Sequence, residues 1–346
     1  MNAQVMQTRP VSDTATRPAF GTVLASAMSV ATWRDGKWSE HELRKYGPIE
    51  FSPAIHGLHY GSTCFEGFKA YSWADGSINI FRMEKHIARM RQSAKGLVLP
   101  QPDAVQLAQM VMQVVDRVRD EVPEAPGALY LRPTLIGTGA SIGGATSPAT
   151  EAMLIVLASP VWDYFTNGPK PLRIYVEEQA TRTASLMGMI KTGGNYAASL
   201  GPTIAARQQH QADQVVFSPG GQVQETGAAN FLLIRDGRIL TRALDTTFLH
   251  GVTRDSLLTI APDMGYQVEE RAFTVDEMLE WVKDGEAALC GTAAALSGVG
   301  TLVRSGGREY KVGSGDVGLN TKRLRAALVA MQQGEIPTPA GWITRV

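Results

Sequence analysis

The octapeptide Met189-Ile190-Lys191-Thr192-Gly193-Gly194-Asn195-Tyr196 is the stretch that decides the interpretation of this chain. An apolar pair precedes the lysine, which predicts that Lys191 lies at the end of a strand. The double glycine allows a sharp turn because glycine has no Cβ, and Tyr196 is expected to open a helix. A lysine held there, with little bulk beside it, can attack a carbonyl because burial lowers a lysine pKa. The alternative is a lysine in a surface turn.

Composition excludes several classes of protein. The 346 residues carry 33 Lys plus Arg and 33 Asp plus Glu, so no bulk charge favours nucleic acid or an anionic membrane. No apolar run is long enough for a membrane span, and the polar first twenty residues contain no secretory signal. Cys64 and Cys290 lie far apart, and the six histidines lack ligand spacing, so we expect neither a disulfide framework nor a metal site. These features predict a soluble, cytoplasmic protein.

The chain length and the change of pattern along the chain predict two α+β domains. Residues 1–20 are expected to form a mobile tail, and residues 21–160 a small α+β domain. Residues 161–172, rich in proline and aromatic residues, are interpreted as the connection between domains. Residues 173–346 then form the larger domain.

Local patterns predict the elements that carry the candidate residues. Ser62 to Tyr71 has the pattern of one strand, and a helical period begins at Glu84. Asp103 is the expected N-cap of a second helix. An apolar strand is predicted from Ala128 to Ile136, and a helix from Tyr196 to Gln211.

Three further segments of the second half have the chemistry of a binding site. Glu225 stands beside small residues before an apolar strand, where a carboxylate needs a cationic partner such as a protonated ring nitrogen; otherwise it is a turn residue. Thr253 is predicted at a helix N-terminus, which favours phosphate, although threonine is also simply a good N-cap. Thr292, in the turn Gly291-Thr292-Ala293-Ala294, offers another hydroxyl, in what is otherwise a tight connection.

The first half adds candidate ligands for anions. A phosphate site favours a guanidinium, and Arg89 and Arg82 are the candidates, unless they lie on a solvated helix face. Tyr130 and Arg132 alternate with leucines, so their side chains share one face of a strand and suggest a site for a carboxylate. Together with Lys191, this inventory fits pyridoxal phosphate.

The sequence resembles the branched-chain amino acid aminotransferases, which are fold-type IV pyridoxal-phosphate enzymes with the D-amino acid aminotransferase-like α+β fold. The resemblance extends from about Trp33 to residue 335 and rests on the order and spacing of several blocks. These are YGSTCFEGFKAY (Tyr60–Tyr71), LYLRPTLIG (Leu129–Gly137), KTGGNY (Lys191–Tyr196), ETGAANF (Glu225–Phe231), GVTRD (Gly251–Asp255) and GTAA (Gly291–Ala294).

The resemblance implies a role for each matching residue, with the cofactor site between the two domains. Lys191 forms the Schiff base, Glu225 keeps the pyridine nitrogen protonated, and Tyr196 hydrogen-bonds the phenolic oxygen of the ring. The implied phosphate ligands are Arg89, which the family pattern favours over Arg82, the Val252 backbone, Thr253 and Thr292. The implied substrate pocket comprises Tyr60, Phe65, Tyr130, Arg132, Tyr164, Ala293 and Ala294, with Arg132 near the second carboxylate of glutamate and the alanine backbone holding the α-carboxylate.

The implied activity is reversible amino transfer between L-leucine, L-isoleucine or L-valine and 2-oxoglutarate, which becomes glutamate. The resemblance also implies a homodimer. Within the same fold, a D-amino acid transaminase, an amine transaminase or an aminodeoxychorismate lyase would share Lys191 and Glu225. A non-catalytic pyridoxal-phosphate carrier is the alternative outside the enzyme class. The Tyr130-x-Arg132 strand and the FEGFKAY block favour the branched-chain activity.

Overall fold

The computed structural model describes residues 18–162 and 170–346, and these fall into two compact units. The first unit comprises 18–162, Ile190–Gly193 and Gln332–Val346, and the second comprises 170–189 and Gly194–Met331. The connection predicted at 161–172 lies largely outside the described residues and stays a prediction.

The first unit consists of one antiparallel sheet with helices packed against it. Its elements are β1 (Ala27–Arg34), β2 (Lys37–Trp38), β3 (Glu42–Lys45), α1 (His56–Tyr60), β4 (Thr63–Phe65), β5 (Phe68–Ser72), β6 (Ile78–Phe81), α2 (Met83–Gly96), α3 (Ala104–Arg117), β7 (Ala128–Gly137) and β8 (Ala152–Val161).

The second unit contains α4 (Gly193–His210), which starts at the last residue of the first unit, and a second sheet. The other elements are β9 (Leu172–Glu177), β10 (Gln214–Phe217), β11 (Asn230–Arg235), β12 (Arg238–Thr241), α5 (Val252–Ile260), β13 (Gln267–Glu270), α6 (Val275–Trp281), β14 (Glu286–Gly291), β15 (Ala295–Arg304), β16 (Arg308–Lys311) and α7 (Leu319–Gln332), while β17 (Ile343–Arg345) follows in the first unit.

Within the described residues, the first sheet has the order β17-β6-β5-β7-β8-β1-β2, with β3 on β1 and β4 on β7. The second has the order β10-β9-β15-β14-β11-β12-β13, with β16 on β15. Each sheet has its own core. In the first unit, Met90 of α2 and Val111 of α3 pack with Leu129 and Leu131 of β7, and all four are fully buried. This burial follows from apolar residues at helical spacing on the helices and at alternating positions on the strand.

The unit boundaries differ from the predicted larger domain at two places. Residues 190–193 belong to the first unit because Thr192 forms a β-bridge with Cys64. The C-terminal residues belong to it because β17 pairs with β6. Short pairings between segments far apart in the chain leave no signal in composition, so the sequence did not indicate them.

Two local predictions were wrong. Ser62–Tyr71 is not one strand: β4 and β5 are separated at Glu66 and Gly67. A Cβ at Gly67 would lie 1.8 Å from the Tyr130 hydroxyl oxygen, so this close approach requires glycine. The double glycine does not form a turn either, because Gly193 and Gly194 are the first residues of α4.

Candidate active site

Lys191 is held by its backbone and does not end a strand, contrary to the sequence-based prediction. Its N–H donates to the Ser93 hydroxyl of α2 at 3.0 Å. Its carbonyl accepts from the Phe65 N–H of β4 at 3.0 Å. The next residue, Thr192, donates its hydroxyl to the Thr63 carbonyl at 2.7 Å. A helix and a strand of the same unit therefore fix the lysine backbone from two sides, which orients a half-buried amine.

An aromatic and cationic wall lies beside this amine. The Lys191 Nζ lies 5.0 Å from the centre of the Phe65 ring, and the Arg132 guanidinium lies 4.6 Å from the same centre. Arg132 also donates to the Tyr130 hydroxyl at 2.9 Å. From Leu129 onward, buried and half-buried residues alternate along β7, which places Tyr130 and Arg132 on one face, as expected from the sequence. Phe20 adds a third ring, with its centroid 4.9 Å from that of Tyr130.

Arg89 lies on α2 and is bound to a carboxylate that the sequence analysis did not single out. Its Nε donates to Glu66 Oε1 at 2.7 Å, and its Nη2 donates to Glu66 Oε2 at 2.8 Å. His86, one turn earlier on α2, contacts Glu66 Oε2 through Nδ1 at 2.7 Å. All three side chains are buried. We call Glu66, His86 and Arg89 the first cluster.

The charge state of the first cluster follows from its contacts. Burial alone would raise the pKa of Glu66, but the Arg89 guanidinium and His86 hold it well below its ordinary value. The pKa of His86 is lowered: burial is the largest cause, the Glu66 carboxylate opposes it, and the charges of Arg89 and Lys191 lower the pKa further. The cluster is therefore a carboxylate, a guanidinium and a neutral imidazole that donates from Nδ1.

Arg82, the other candidate for phosphate, has a different environment. It precedes α2 with a left-handed backbone, at φ 57°. Its guanidinium lies 4.2 Å from the centre of the Trp342 ring, a cation–π contact with the C-terminal segment of the same unit. This stacking packs Arg82 against the C-terminal segment, and the choice of Arg89 for the phosphate stays a prediction.

Glu225 is the centre of a second cluster, in the second unit. Its Oε1 lies 2.7 Å from Arg182 Nη1 and accepts from the Leu249 N–H at 2.7 Å. Its Oε2 accepts from the Asn230 amide at 3.1 Å. Arg182 and Glu225 are each 2% exposed, and the Arg182 guanidinium lies 5.9 Å from the centre of the Tyr196 ring. A cation and two N–H donors thus stabilise the charged carboxylate. We call Glu225, Arg182 and Asn230 the second cluster.

Asn230 also ties the second cluster to the start of α5. Its amide donates to the Leu249 carbonyl at 2.8 Å. A Cβ at Gly251 would lie 2.0 Å from the Asn230 Oδ1, so glycine is required there. Gly251, not Thr253, is the N-cap, and Val252 and Thr253 occupy the first turn of α5. The N–H groups of a first helical turn lack helical partners and favour an anion.

Thr292, Ala293 and Ala294 connect β14 to β15, in a hairpin closed by the pair Gly291 and Ala295. Ala295 has a φ of 57°, the left-handed conformation that often follows the turn of a three-residue hairpin loop. The three connecting residues are half-buried. A tight turn of this kind brings several backbone N–H groups and the Thr292 hydroxyl close together.

Within each unit, the predicted residues are arranged as follows. Phe65, Tyr130, Arg132 and Lys191 form one connected group in the first unit, where Tyr60, at the end of α1, donates to the Ile142 carbonyl at 2.5 Å. Tyr164 lies outside the described residues. The second unit carries the remaining candidates: Tyr196, Glu225, Val252, Thr253, Thr292, Ala293 and Ala294.

Sequence reasoning missed the partners that hold these residues. His86 and Ser93 lie three residues before and four residues after Arg89, the spacing of one helix face, and this signal was present in the sequence. Glu66, an acid within an apolar strand pattern, was a second signal. Arg182 lies in an irregular segment more than forty residues from Glu225, and no pattern indicated it.

Two features are absent from the described part of the chain. None of its helices is long and apolar enough to cross a membrane. Its His, Cys, Asp and Glu side chains include no group of three or more placed to bind a metal ion.

Comparison with known proteins identifies the family. The model of the amino-transferase class IV family matches residues 63–300, which is most of the chain. The chain belongs to the class IV aminotransferases. Members of this family use pyridoxal phosphate, so the family assignment and the cofactor predicted from the sequence are confirmed.

Individual relatives are similar over almost their whole length. A probable branched-chain-amino-acid aminotransferase of Streptomyces coelicolor is 38% identical and covers 94% of this chain and 92% of its own. A branched-chain-amino-acid aminotransferase of Mycobacterium tuberculosis is 37% identical, with 95% and 92% covered. The solved structure of a T.th. branched-chain amino acid aminotransferase with pyridoxamine 5'-phosphate has a TM-score of 0.77 at 26% identity, covering 93% of this chain and 99% of that one. The predicted α+β, fold-type IV class is confirmed.

Proposed function

We propose that this class IV aminotransferase is a branched-chain amino acid aminotransferase, which transfers the amino group reversibly between L-leucine, L-isoleucine or L-valine and 2-oxoglutarate. One observation of the structure carries the proposal. The Lys191 amine and the Arg132 guanidinium lie 5.0 and 4.6 Å from the centre of one Phe65 ring. A reactive amine is thus next to a wall that offers both apolar surface and a cation.

The residues present fit the chemistry of pyridoxal phosphate. Lys191 offers a primary amine for the aldehyde, and Glu225 offers a carboxylate kept charged by the second cluster. Arg89, the first turn of α5 with Thr253, and Thr292 supply a guanidinium, backbone N–H groups and hydroxyls, which are the donors that a phosphate requires. We propose that these residues, with Tyr196 at the phenolic oxygen, hold the cofactor.

When bound, the cofactor supplies an electron sink for the negative charge that develops at the substrate α-carbon. Lys191 Nζ accepts the α-proton and later returns a proton, as general base and then general acid. The backbone bonds of Lys191 to Ser93 and Phe65 keep this amine oriented during both transfers. Glu225, held by Arg182, Asn230 and the Leu249 N–H, stabilises a proton on the ring nitrogen.

The pocket must accept an apolar branched side chain in one half-reaction and a carboxylate in the other. Phe65 and Tyr130 provide apolar surface, and we propose that Tyr60 and Tyr164 add to it. Arg132, which donates to the Tyr130 hydroxyl, pairs with the second carboxylate of glutamate. The backbone N–H groups of Ala293 and Ala294 bind the α-carboxylate. We further propose that the protein is a cytoplasmic homodimer.

Half-reactions of the cofactor-loaded protein test this proposal. Addition of L-leucine should convert the visible absorbance band of the cofactor to the shorter-wavelength form that carries the amino group, and 2-oxoglutarate should restore the band. D-leucine and simple amines serve as matched donors. Conversion by these donors but not by L-leucine would assign the protein to the D-amino acid or amine transaminases. A band that no donor changes would indicate a carrier of the cofactor.

A further inference from the structure

The first cluster contains a buried carboxylate that several N–H groups of the protein hold. Four N–H groups contact Glu66: Nε and Nη2 of Arg89, Nδ1 of His86, and the Gly67 backbone at 3.2 Å. A carboxylate offers about four lone-pair sites. Arg89 Nε contacts Oε1, and the other three groups contact Oε2. Glu66 is 1% exposed, so it is shielded from solvent. We therefore expect Glu66 to act on a ligand through the groups that it holds.

The chain is built to place this carboxylate. The interruption between β4 and β5 falls at Glu66, whose own N–H donates to the Pro133 carbonyl of β7 at 2.8 Å. Gly67 lets the Tyr130 hydroxyl approach the backbone. His86 and Arg89 face the same carboxylate because residues three apart lie on one side of α2. Strand β7 and helix α2 therefore both contact the segment Glu66–Gly67.

The paired bonds determine the orientation of Arg89. A guanidinium is planar, and two parallel bonds from Nε and Nη2 to one carboxylate define its plane as well as its position. His86 stacks on Phe68, with ring centroids 4.8 Å apart, and its Nδ1 contacts the same carboxylate. Ser93, one turn further along α2, binds the backbone of Lys191. One helix thus fixes both Arg89 and the reactive lysine.

We propose that Glu66 is a positioning residue for the cofactor phosphate: it holds the Arg89 guanidinium in the orientation that binds the phosphate, and His86 holds Glu66. This inference rests on the proposed role of Arg89. The inference predicts a specific result, because a residue that acts through Arg89 affects the binding only of ligands that carry a phosphate group. A residue that merely stabilises the fold affects ligands with and without phosphate alike.

The test compares two ligands that differ only in the phosphate. The full-length protein is freed of cofactor, and the dissociation constants of pyridoxal phosphate and of pyridoxal are measured by fluorescence titration for the wild type, Glu66→Gln, Arg89→Met and the double variant. We expect Glu66→Gln to weaken pyridoxal phosphate binding about tenfold or more, the size associated with a misplaced charge-assisted hydrogen bond. Pyridoxal binding should change less than about twofold, and Glu66→Gln should have no further effect in the Arg89→Met protein.

Each other outcome has a definite meaning. Equal losses for the two ligands, or a full Glu66→Gln effect in the Arg89→Met protein, would overturn the positioning role. An Arg89→Met protein that binds pyridoxal phosphate normally would contradict the proposed phosphate role of Arg89. A loss in Arg89→Met with none in Glu66→Gln would overturn only the inference about Glu66.

Two further variants keep the test decisive if Glu66→Gln does not fold. His86→Leu removes one donor to Glu66 and should give a smaller loss, again confined to pyridoxal phosphate; equal losses for both ligands would count against the proposal. Glu178→Gln is the matched control, because Glu178 also accepts two bonds from one arginine, Arg304, at 2.9 Å each. It should leave both dissociation constants unchanged.

Discussion

The first and second clusters both contain a buried glutamate–arginine pair, but the pairs differ in geometry. In the first, Arg89 engages both oxygens of Glu66, and a histidine supplies the third side-chain contact. In the second, Arg182 approaches one oxygen of Glu225, and neutral N–H groups of Asn230 and Leu249 complete the contacts. The difference teaches that one ion pair can serve two purposes. On the roles proposed above, the glutamate of the first cluster orients a phosphate-binding arginine, whereas the arginine of the second cluster holds a glutamate that faces the ring nitrogen.

The largest effect is expected at Lys191, the proposed proton-transfer residue. Lys191→Ala removes the proton-transferring amine and should lower kcat by about 10⁴-fold or more, measured by coupled assay with L-leucine and 2-oxoglutarate. Lys95→Ala changes an exposed lysine of α2 and should leave kcat unaltered. Wild-type turnover by Lys191→Ala would contradict the proposed role of Lys191.

Glu225→Gln tests the proposed role of the Glu225 carboxylate at the ring nitrogen. The neutral amide cannot stabilise a proton on the ring nitrogen, so exchange of the substrate α-proton with solvent should slow about 100-fold. Cofactor affinity should change far less, which is the reverse of the pattern expected for Glu66→Gln. The measurement is deuterium exchange into L-leucine followed by NMR. If the two glutamine variants show the same pattern, the distinction between the clusters fails.

Arg182→Met tests how much the ion pair of Arg182 with Glu225 contributes to the stability of the folded protein. Removing one partner of a buried pair leaves an uncompensated charge, which costs about 3 to 5 kcal/mol. Because the Asn230 and Leu249 donors remain, we expect a loss of about 3 kcal/mol, at the lower end. The measurement is urea unfolding of the protein without cofactor.

The control for this loss is Arg304→Met, which breaks the Arg304–Glu178 pair. Its side chains are 29% and 22% exposed, so the loss should stay within about 1 kcal/mol. Equal losses for the two methionine variants would mean that burial does not distinguish the second cluster from an ordinary ion pair.

The same two clusters show how far the sequence could predict the molecule. Hydrophobic periodicity located α2, α3 and β7 within a few residues, and Asp103 caps α3 as expected, accepting from the Gln106 N–H at 2.8 Å. Such features depend on neighbours in sequence. The contacts of Glu225 with Arg182 and Leu249 depend on segments that meet only after folding, so the sequence indicated that Glu225 needs a cation but not which one. The residue roles inferred from the family resemblance stay predictions for the experiments above.

The smallest expected effect is on the pH dependence of stability. It distinguishes the clusters because the first contains a histidine, His86, where the second contains Asn230. The folded-state pKa of His86 is lowered by burial, so the unfolded chain binds the proton more readily than the folded protein does. The contribution of the neutral His86 to the free energy of unfolding is therefore fully present above the unfolded histidine pKa of about 6.5. It is lost as the pH falls toward the lower pKa that His86 has in the folded protein. Glu66, with its lowered pKa, contributes in the same direction, but only below about pH 4.3.

Between pH 7 and 5, then, the first cluster should lose stability through His86, while the second cluster, which has no histidine, should not. One proton accounts for at most about 1.4 kcal/mol per pH unit. The free energy of unfolding should decline less steeply with falling pH in His86→Leu than in the wild type, and His59→Leu, at an exposed position, should follow the wild type. An unchanged slope in His86→Leu would mean that the folded protein holds a protonated His86. Glu66 would then be paired with two cations, and the first cluster would carry a net positive charge toward the phosphate.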